Sequence, residues 1–244
     1  MNNNRVTWLS PDDPPDSFPP VNVALREPDG LLAAGGNLSA DRLLYAYRHG
    51  IFPWYDEGQP LLWWSPDPRC VFMPGDYHLS RRLRQELRHS TAEIRINSAF
   101  TRVIQACAEP RRSEQGTWIT SDMIIAYEQL HQLGWAHSIE VWQSGELSGG
   151  LYGLAIGKAF FGESMFSDTS NASKIALLYM AQRLSAGEFE ILDCQVNSSH
   201  LLGLGARIMP RSEFTLNLKT ACDPATPFDN WPLIPLACSQ LLLK

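Results

Sequence analysis

Ala136–His137–Ser138–Ile139–Glu140–Val141–Trp142–Gln143–Ser144–Gly145–Glu146–Leu147–Ser148–Gly149–Gly150–Leu151–Tyr152–Gly153–Leu154–Ala155–Ile156 reads as two long strands around a tight turn. Ser144–Gly145 is the turn, since glycine supplies the positive φ that two-residue hairpin loops need. Gly157 marks a second turn, and Lys158–Phe166 reads as a third strand, completing an antiparallel meander. A helix is expected from Asn171–Ser173 to Ser185. After Gly187 comes Glu190–Ile191–Leu192–Asp193–Cys194–Gln195–Val196, an apolar strand, then a short helix at Ser198–Leu202 and a strand at Arg207–Met209. A meander followed by a strand–helix–strand crossover is α+β architecture.

Upstream, strand and helix are mixed. Cys70–Met73 and Ile94–Ile96 read as strands. Ser80–Arg88 reads as a helix, with Leu79, Leu83 and Leu87 at four-residue spacing. Ala99–Cys107 is a further helix, and Ser121 caps another that runs to Leu133 and stops at Gly134. Residues 10–20, dense in proline, cannot form helix or central strand. Ser39 caps a helix with an apolar stripe of Leu43, Leu44, Ala46 and Tyr47, ended by Gly50. Pro66 and Pro68 stop regular structure. They suggest a small N-terminal domain over 1–69 and a larger domain over 70–244.

Composition excludes several classes. At 244 residues, 44% hydrophobic and 19% charged, the chain buries a core and is not disordered. No apolar run approaches the ~20 residues that span a bilayer. Met1–Arg5 lacks the apolar core of a signal peptide. Five widely spaced cysteines form no C-x-x-C pair, which argues against zinc and against a disulfide framework. These features point to a reduced, cytoplasmic protein. Net charge is −6, yet Arg69–Arg112 holds nine arginines against four acids. One basic segment on an acidic protein suits local contact with a polyanion. Arg81, Arg82, Arg84 and Arg88 read equally well as the solvated face of a helix.

Asp193 and Gln195 are two apart, so on a strand they share a face. A carboxylate and a carboxamide on an apolar strand need partners, and such a pair is either an internal network or a site. The order of elements resembles the acetyltransferase (GNAT-type) fold. Acyl-CoA enzymes of that fold carry a glycine-rich loop after the third meander strand, whose amides hold pyrophosphate. Here that loop is Asp168–Thr169–Ser170–Asn171–Ala172–Ser173–Lys174, without glycine and opened by an acid. The fold reads as retained and the CoA site as lost.

Seven segments in order carry a more specific resemblance. They are Gly30–Leu38, Gly50–Trp54, Trp63–Arg69, Gly116–Thr120, His137–Trp142, Gly162–Ser167 and Asp193–Val196. With them the chain resembles the leucyl/phenylalanyl-tRNA–protein transferase family over about Phe18 to Ile208. Gly203–Leu204–Gly205–Ala206 departs from the Ser-Leu-Gly-Ala of similar proteins, beyond the segment carrying the chemistry. The resemblance implies transfer of Leu or Phe, less well Met, from aminoacyl-tRNA to proteins beginning with Arg or Lys. Their marking for degradation by the bacterial N-degron pathway follows from it. It implies no metal and no cofactor.

The resemblance also implies roles. Asp193 and Gln195 carry the central ones. Gln195 is too weak a base to hold a proton, so it reads as an acceptor that orients the amine, with Asp193 fixing or polarising it. Glu163, at the end of the third meander strand, is a candidate partner for the acceptor's cation, with Asp168 and Glu140 as weaker ones. Trp54 and Trp118 are placed around the 3′-terminal adenosine, with Phe160 and Phe161 nearby. Adjacent strand residues face opposite ways, so at most one of that pair lines a given pocket. Met165, Leu151, Ile156 and Leu177 are candidates for the apolar pocket. Trp63 and Trp64 read as core. The Arg81–Arg88 helix then reads as a surface for acceptor-stem phosphates.

Overall fold

A computed structural model describes residues 6–109 and 119–242. Two sheets organise it. The smaller comprises β1 (Thr7–Leu9), β2 (Leu31–Gly35), β3 (Phe52–Pro53) and β4 (Leu62–Trp64), in the order β1-β2-β4-β3. The larger has eight strands: β5 (Arg69–Phe72), β6 (Glu93–Ile96), β7 (Ala136–Gln143), β8 (Glu146–Ile156), β9 (Ala159–Ser167), β10 (Ile191–Asp193), β11 (Arg207–Met209) and β12 (Leu236–Ala237). Their order is β11-β5-β10-β9-β8-β7-β6-β12.

The meander is β7–β8–β9, all antiparallel. Ser144 and Gly145 take φ of 53° and 84° at its first turn, the two positive angles a primed hairpin turn requires. β10 returns parallel to β9 after the crossover helix α5 (Ala172–Ser185), pairing Leu192 with Phe160 and Asp193 with Phe161. β5 then lies antiparallel to β10. The acetyltransferase order of elements expected from sequence is therefore the order observed.

Helices cover both faces of the large sheet. The other helices are α1 (Ala40–Arg48), α2 (Arg81–His89), α3 (Phe100–Ala108), α4 (Ser121–Gln132), α6 (Ser199–Gly203) and α7 (Arg211–Ala221). One core joins Tyr152, Phe161 and Ile191 to α1, α3, α4, α7 and to Trp63 of the small sheet. The other joins Ile139, Phe160 and Leu192 to α2, α5 and the C-terminal turn. Phe160 and Phe161 thus face opposite sides, as strand alternation demands.

Local chemistry refines the helix ends. Thr120, not Ser121, caps α4, its hydroxyl accepting from the Met123 amide at 3.3 Å. The Ser39 side chain makes no capping bond, and Asn37 accepts from the Ser39 amide instead at 3.1 Å. At the end of α1, Gly50 takes φ +75°. The Gly50 amide donates to Tyr47 O and the Ile51 amide to Ala46 O, closing a Schellman turn. The four short N-terminal strands and α7 are absent from the sequence reading. Each short strand carries too few residues for its periodicity to register.

Candidate active site

The site forms where β10 ends against β5 and α1. Asp193 is fully buried and grips Arg69 by two bonds: Nε to Oδ1 at 2.8 Å and Nη2 to Oδ2 at 2.7 Å. Arg69 also donates from Nη1 to Gly50 O at 3.2 Å. Its guanidinium lies between the rings of Phe52 and Phe214, 4.7 Å from each centroid. A buried ion pair needs its remaining donors satisfied, and these contacts do so. Asp193 therefore does not reach substrate.

Gln195 corrects one expectation. β10 stops at Asp193, and Gln195 sits at φ +61°, in the left-handed region. The two residues do not alternate along a strand. A non-glycine residue holds this conformation at a cost of ~1–3 kcal/mol, so its surroundings must impose it. They do: the Gln195 amide donates to Asp193 Oδ1 at 2.8 Å, and its carbonyl accepts from the Cys70 amide at 3.1 Å. The side chain turns towards Glu163, Nε2 donating to Oε1 at 2.7 Å. Cys194 between them has its thiol pushed well up by burial, so it is not a ready nucleophile.

Glu163, expected to face the acceptor's cation, is held from inside the protein. Its carboxyl is buried and already engaged: Tyr47 donates to Oε1 at 2.7 Å and Tyr127 to Oε2 at 2.9 Å, besides Gln195. Oε1 takes two of these bonds and Oε2 one, so an incoming cation would have to share the carboxyl with donors already in place. The two phenols also touch each other. When Glu163 is neutral, the three contacts close as a ring: its Oε2 donates to Tyr127, Tyr127 to Tyr47 and Tyr47 to Oε1. Burial above all, with Asp193 nearby, raises the Glu163 pKa to about 7, although its three donors pull the other way. Burial also pushes both phenols well above their ordinary range, so they stay neutral.

Two cavities meet at Glu163 and Cys194. One, about 100 Å³, is lined by Leu151, Phe160, Met165, Leu177, Leu192 and Leu201. Of the expected pocket residues, Ile156 alone is elsewhere, fully buried in the core of the opposite face. The other cavity, about 160 Å³, lies against Phe52, Pro53, Trp54, Gln195 and Val196. Trp54 is 40% exposed and rests on Trp64 with centroids 5.7 Å apart. Phe160 lines the apolar cavity and offers no face for stacking a base; Phe161 packs on Tyr47 in the core. Trp118 lies outside the described residues.

Arg81, Arg82, Arg84 and Arg88 are all exposed on α2, while Leu83 and Leu87 bury its other face. The rest of the basic segment divides. Arg69 is buried, Arg95 pairs with Glu93, Arg102 lies over the Trp142 ring, and Arg111 and Arg112 lie outside the described residues. Asp168 and Glu140 line neither cavity. Glu140 accepts from the Ala99 amide at 2.7 Å, from Ser138 and from Trp142, which makes it a buried anchor at the start of α3.

The model of leucyl/phenylalanyl-tRNA protein transferases matches residues 71–219, and the model of their N-terminal domain matches residues 36–67. The chain belongs to the leucyl/phenylalanyl-tRNA–protein transferase family. Proteins of that name from Stutzerimonas stutzeri and Nitrosospira multiformis are 56% and 54% identical to it. The first match covers 86% of this chain and 92% of the relative, the second 88% and 91%. The Pseudomonas aeruginosa relative is 54% identical over 86% of this chain and 92% of its own. Among solved structures, a GCN5-related N-acetyltransferase-like protein from Streptococcus suis aligns at TM-score 0.32 and 12% identity, over 66% of this chain and 59% of that one. The C-terminal domain of a lysylphosphatidylglycerol synthetase from Agrobacterium fabrum aligns at 0.35 and 12%, over 84% and 69%. At these scores the fold rests on the strand order itself.

Within this family member, sequence reasoning missed Arg69, Tyr47 and Tyr127 as site residues. Arg69 closes the Trp63–Arg69 segment, and a buried Asp193 required a cation. Tyr47 lay on a stripe read as apolar, where a phenol needs a hydrogen-bond partner.

Proposed function

We propose that the protein transfers Leu or Phe, and Met less well, from the 3′ end of an aminoacyl-tRNA to the α-amine of a protein beginning with Arg or Lys. The product enters the bacterial N-degron pathway, and the reaction belongs in the cytoplasm, where aminoacyl-tRNA is made. The observation that carries this reading is the junction at Glu163 and Cys194: an apolar cavity for the aminoacyl side chain opens beside a cleft lined by Trp54 and Gln195.

The reaction is ester aminolysis. The amine nitrogen bonds to the aminoacyl carbonyl, the ester C–O bond breaks, and the amine's proton ends on the ribose oxygen that leaves. The ester is already activated and an α-amine has a pKa near ~8, so a substantial fraction is neutral at pH 7. Alignment then supplies most of the rate. Gln195 points Nε2 at Glu163, which leaves Oε1 to accept from the attacking amine. Asp193 acts as a positioning residue through the Gln195 amide. Glu163 stands next to the acceptor amine as a proton holder, held in place by Tyr47 and Tyr127. Trp54, with Trp118, stacks on the terminal adenine, and the α2 arginines meet acceptor-stem phosphates.

An acyl-CoA acetyltransferase is the rival reading, and the loop before α5 argues against it. The Asp168 and Thr169 amides donate to Ser148 O, and the Ser173 amide to Ser167 Oγ at 2.8 Å. Those amides are spent within the protein and cannot cradle a pyrophosphate. The deciding experiment is transfer of labelled Leu from Leu-tRNA to a peptide beginning with Arg. Comparable labelling of a Glu-initial peptide would refute the acceptor specificity, and absence of transfer would refute the reaction.

A further inference from the structure

The helix α6 borders two cavities. Leu201 lines the apolar one, while Ser199, His200 and Gly203 line another of about 560 Å³, between α6 and the first turns of α2 and α5. The ionisable side chains lining this second cavity are all basic types. Arg82 comes from α2, Lys174 from α5, His78 from the segment before α2 and His200 from α6, and none of its lining residues is acidic. Lys174 is aimed by its neighbours: its Nζ donates to Asn171 Oδ1 at 3.0 Å, and Asn171 Nδ2 donates to Glu86 Oε2 at 2.8 Å. An ammonium has three donor hydrogens, so two remain for a ligand. Asn171 itself sits at φ +66°, which fixes the start of α5 beside the cavity.

Three stretches distant in sequence, His78–Arg82, Lys174 and His200, converge here on one ligand chemistry, that of an anion with several oxygens. The Asp168 and Thr169 amides are closed off by Ser148 and the Ser173 amide by Ser167, so the charged contacts of this seat come from side chains. We infer that the cavity between α2, α5 and α6 seats backbone phosphates of the donor tRNA's 3′ end, with Lys174 and His200 joining Arg82 as their contacts. The inference rests on the aminoacyl-tRNA reading above. It adds a seat on α6, whose Leu201 lines the aminoacyl pocket.

The test compares two donors, Leu-tRNA and a phosphate-free Leu-adenosine ester, each with an Arg-initial peptide. Wild-type transfer from either donor checks the underlying reading separately. In Lys174→Gln with His200→Asn, the ratio of kcat/KM for Leu-tRNA to that for Leu-adenosine should fall at least tenfold. Because it is a ratio, partial misfolding cancels. A ratio within twofold of wild type overturns the seat, whether or not both rates have dropped. Coenzyme A and pyrophosphate are titrated alongside. Weak competition against Leu-tRNA is expected, whereas tight, saturable binding of coenzyme A would give the cavity to a nucleotide cofactor and overturn the inference.

Discussion

The carboxamide nitrogen of Gln195 donates to Oε1 of Glu163 at 2.7 Å, and this bond decides which end of the carboxamide meets substrate. With the nitrogen turned inward, the oxygen faces the cleft and accepts from an amine. Gln195→Ala should lower kcat more than tenfold, about 1.4 kcal/mol of barrier, while aminoacyl-tRNA affinity changes little. Filter binding beside steady-state transfer checks this. An unchanged kcat would remove Gln195 from the mechanism.

Asp193 ties this geometry to the fold. Asp193→Ala strands the Arg69 guanidinium in the core and should cost about 3–5 kcal/mol in urea unfolding. Replacing both partners, Arg69→Met with Asp193→Leu, should recover most of that stability. Activity should nevertheless stay more than tenfold down, because the Gln195 amide then has no acceptor. Recovery of activity along with stability would show that Asp193 positions nothing.

Glu163 gives a pH signature. Its folded pKa of about 7 lies above the ordinary carboxylate value of 4.5. Between those pH values the folded state holds more protons than the unfolded state, so stability falls as pH rises through the window and levels off above it. Glu163→Gln reproduces the neutral carboxyl: its oxygen accepts from Tyr47 and Gln195, and its NH2 donates to Tyr127. The variant should therefore lose this part of the pH slope in urea midpoints taken from pH 4.5 to 8. A slope identical to wild type would mean that Glu163 is ionised in the folded protein.

The apolar cavity, about 100 Å³, suits the four carbons of Leu. A cavity of ~150 Å³ is the size known to take a benzene ring. Phe must therefore displace part of the wall, and Met165, flexible and only partly buried, is the side chain able to yield. Met165→Ala should shift the ratio of kcat/KM for Phe-tRNA over Leu-tRNA upward by about tenfold, within the ~1–3 kcal/mol that apolar fit commands. A fall in that ratio would place the aminoacyl side chain elsewhere.

On α2, replacing Arg81, Arg84 and Arg88 with Gln should weaken binding of all tRNAs alike. The dependence of log K on log salt should flatten by up to ~0.9 for each phosphate that is no longer neutralised. Since Leu83 and Leu87 keep the buried face, thermal stability should change little. An unaltered salt slope would return these arginines to a solvated surface.

The sequence by itself determined the order of elements from β5 to β11, because long strands with turn glycines and helices with four-residue apolar spacing carry their periodicity locally. It also brought Asp193, Gln195, Glu163 and Met165 forward, through segments shared with a known family. What it could not determine was who holds whom. Arg69 and Asp193 are 124 residues apart, and only the pairing of β5 with β10 brings them together. Tyr47, Tyr127 and Glu163 come from α1, α4 and β9, and their shared protons follow from oxygen positions that no spacing encodes. The left-handed turn of Gln195 is likewise tertiary: glutamine has no preference for φ near +60°, and it adopts one because Asp193, Cys70 and Glu163 hold it there.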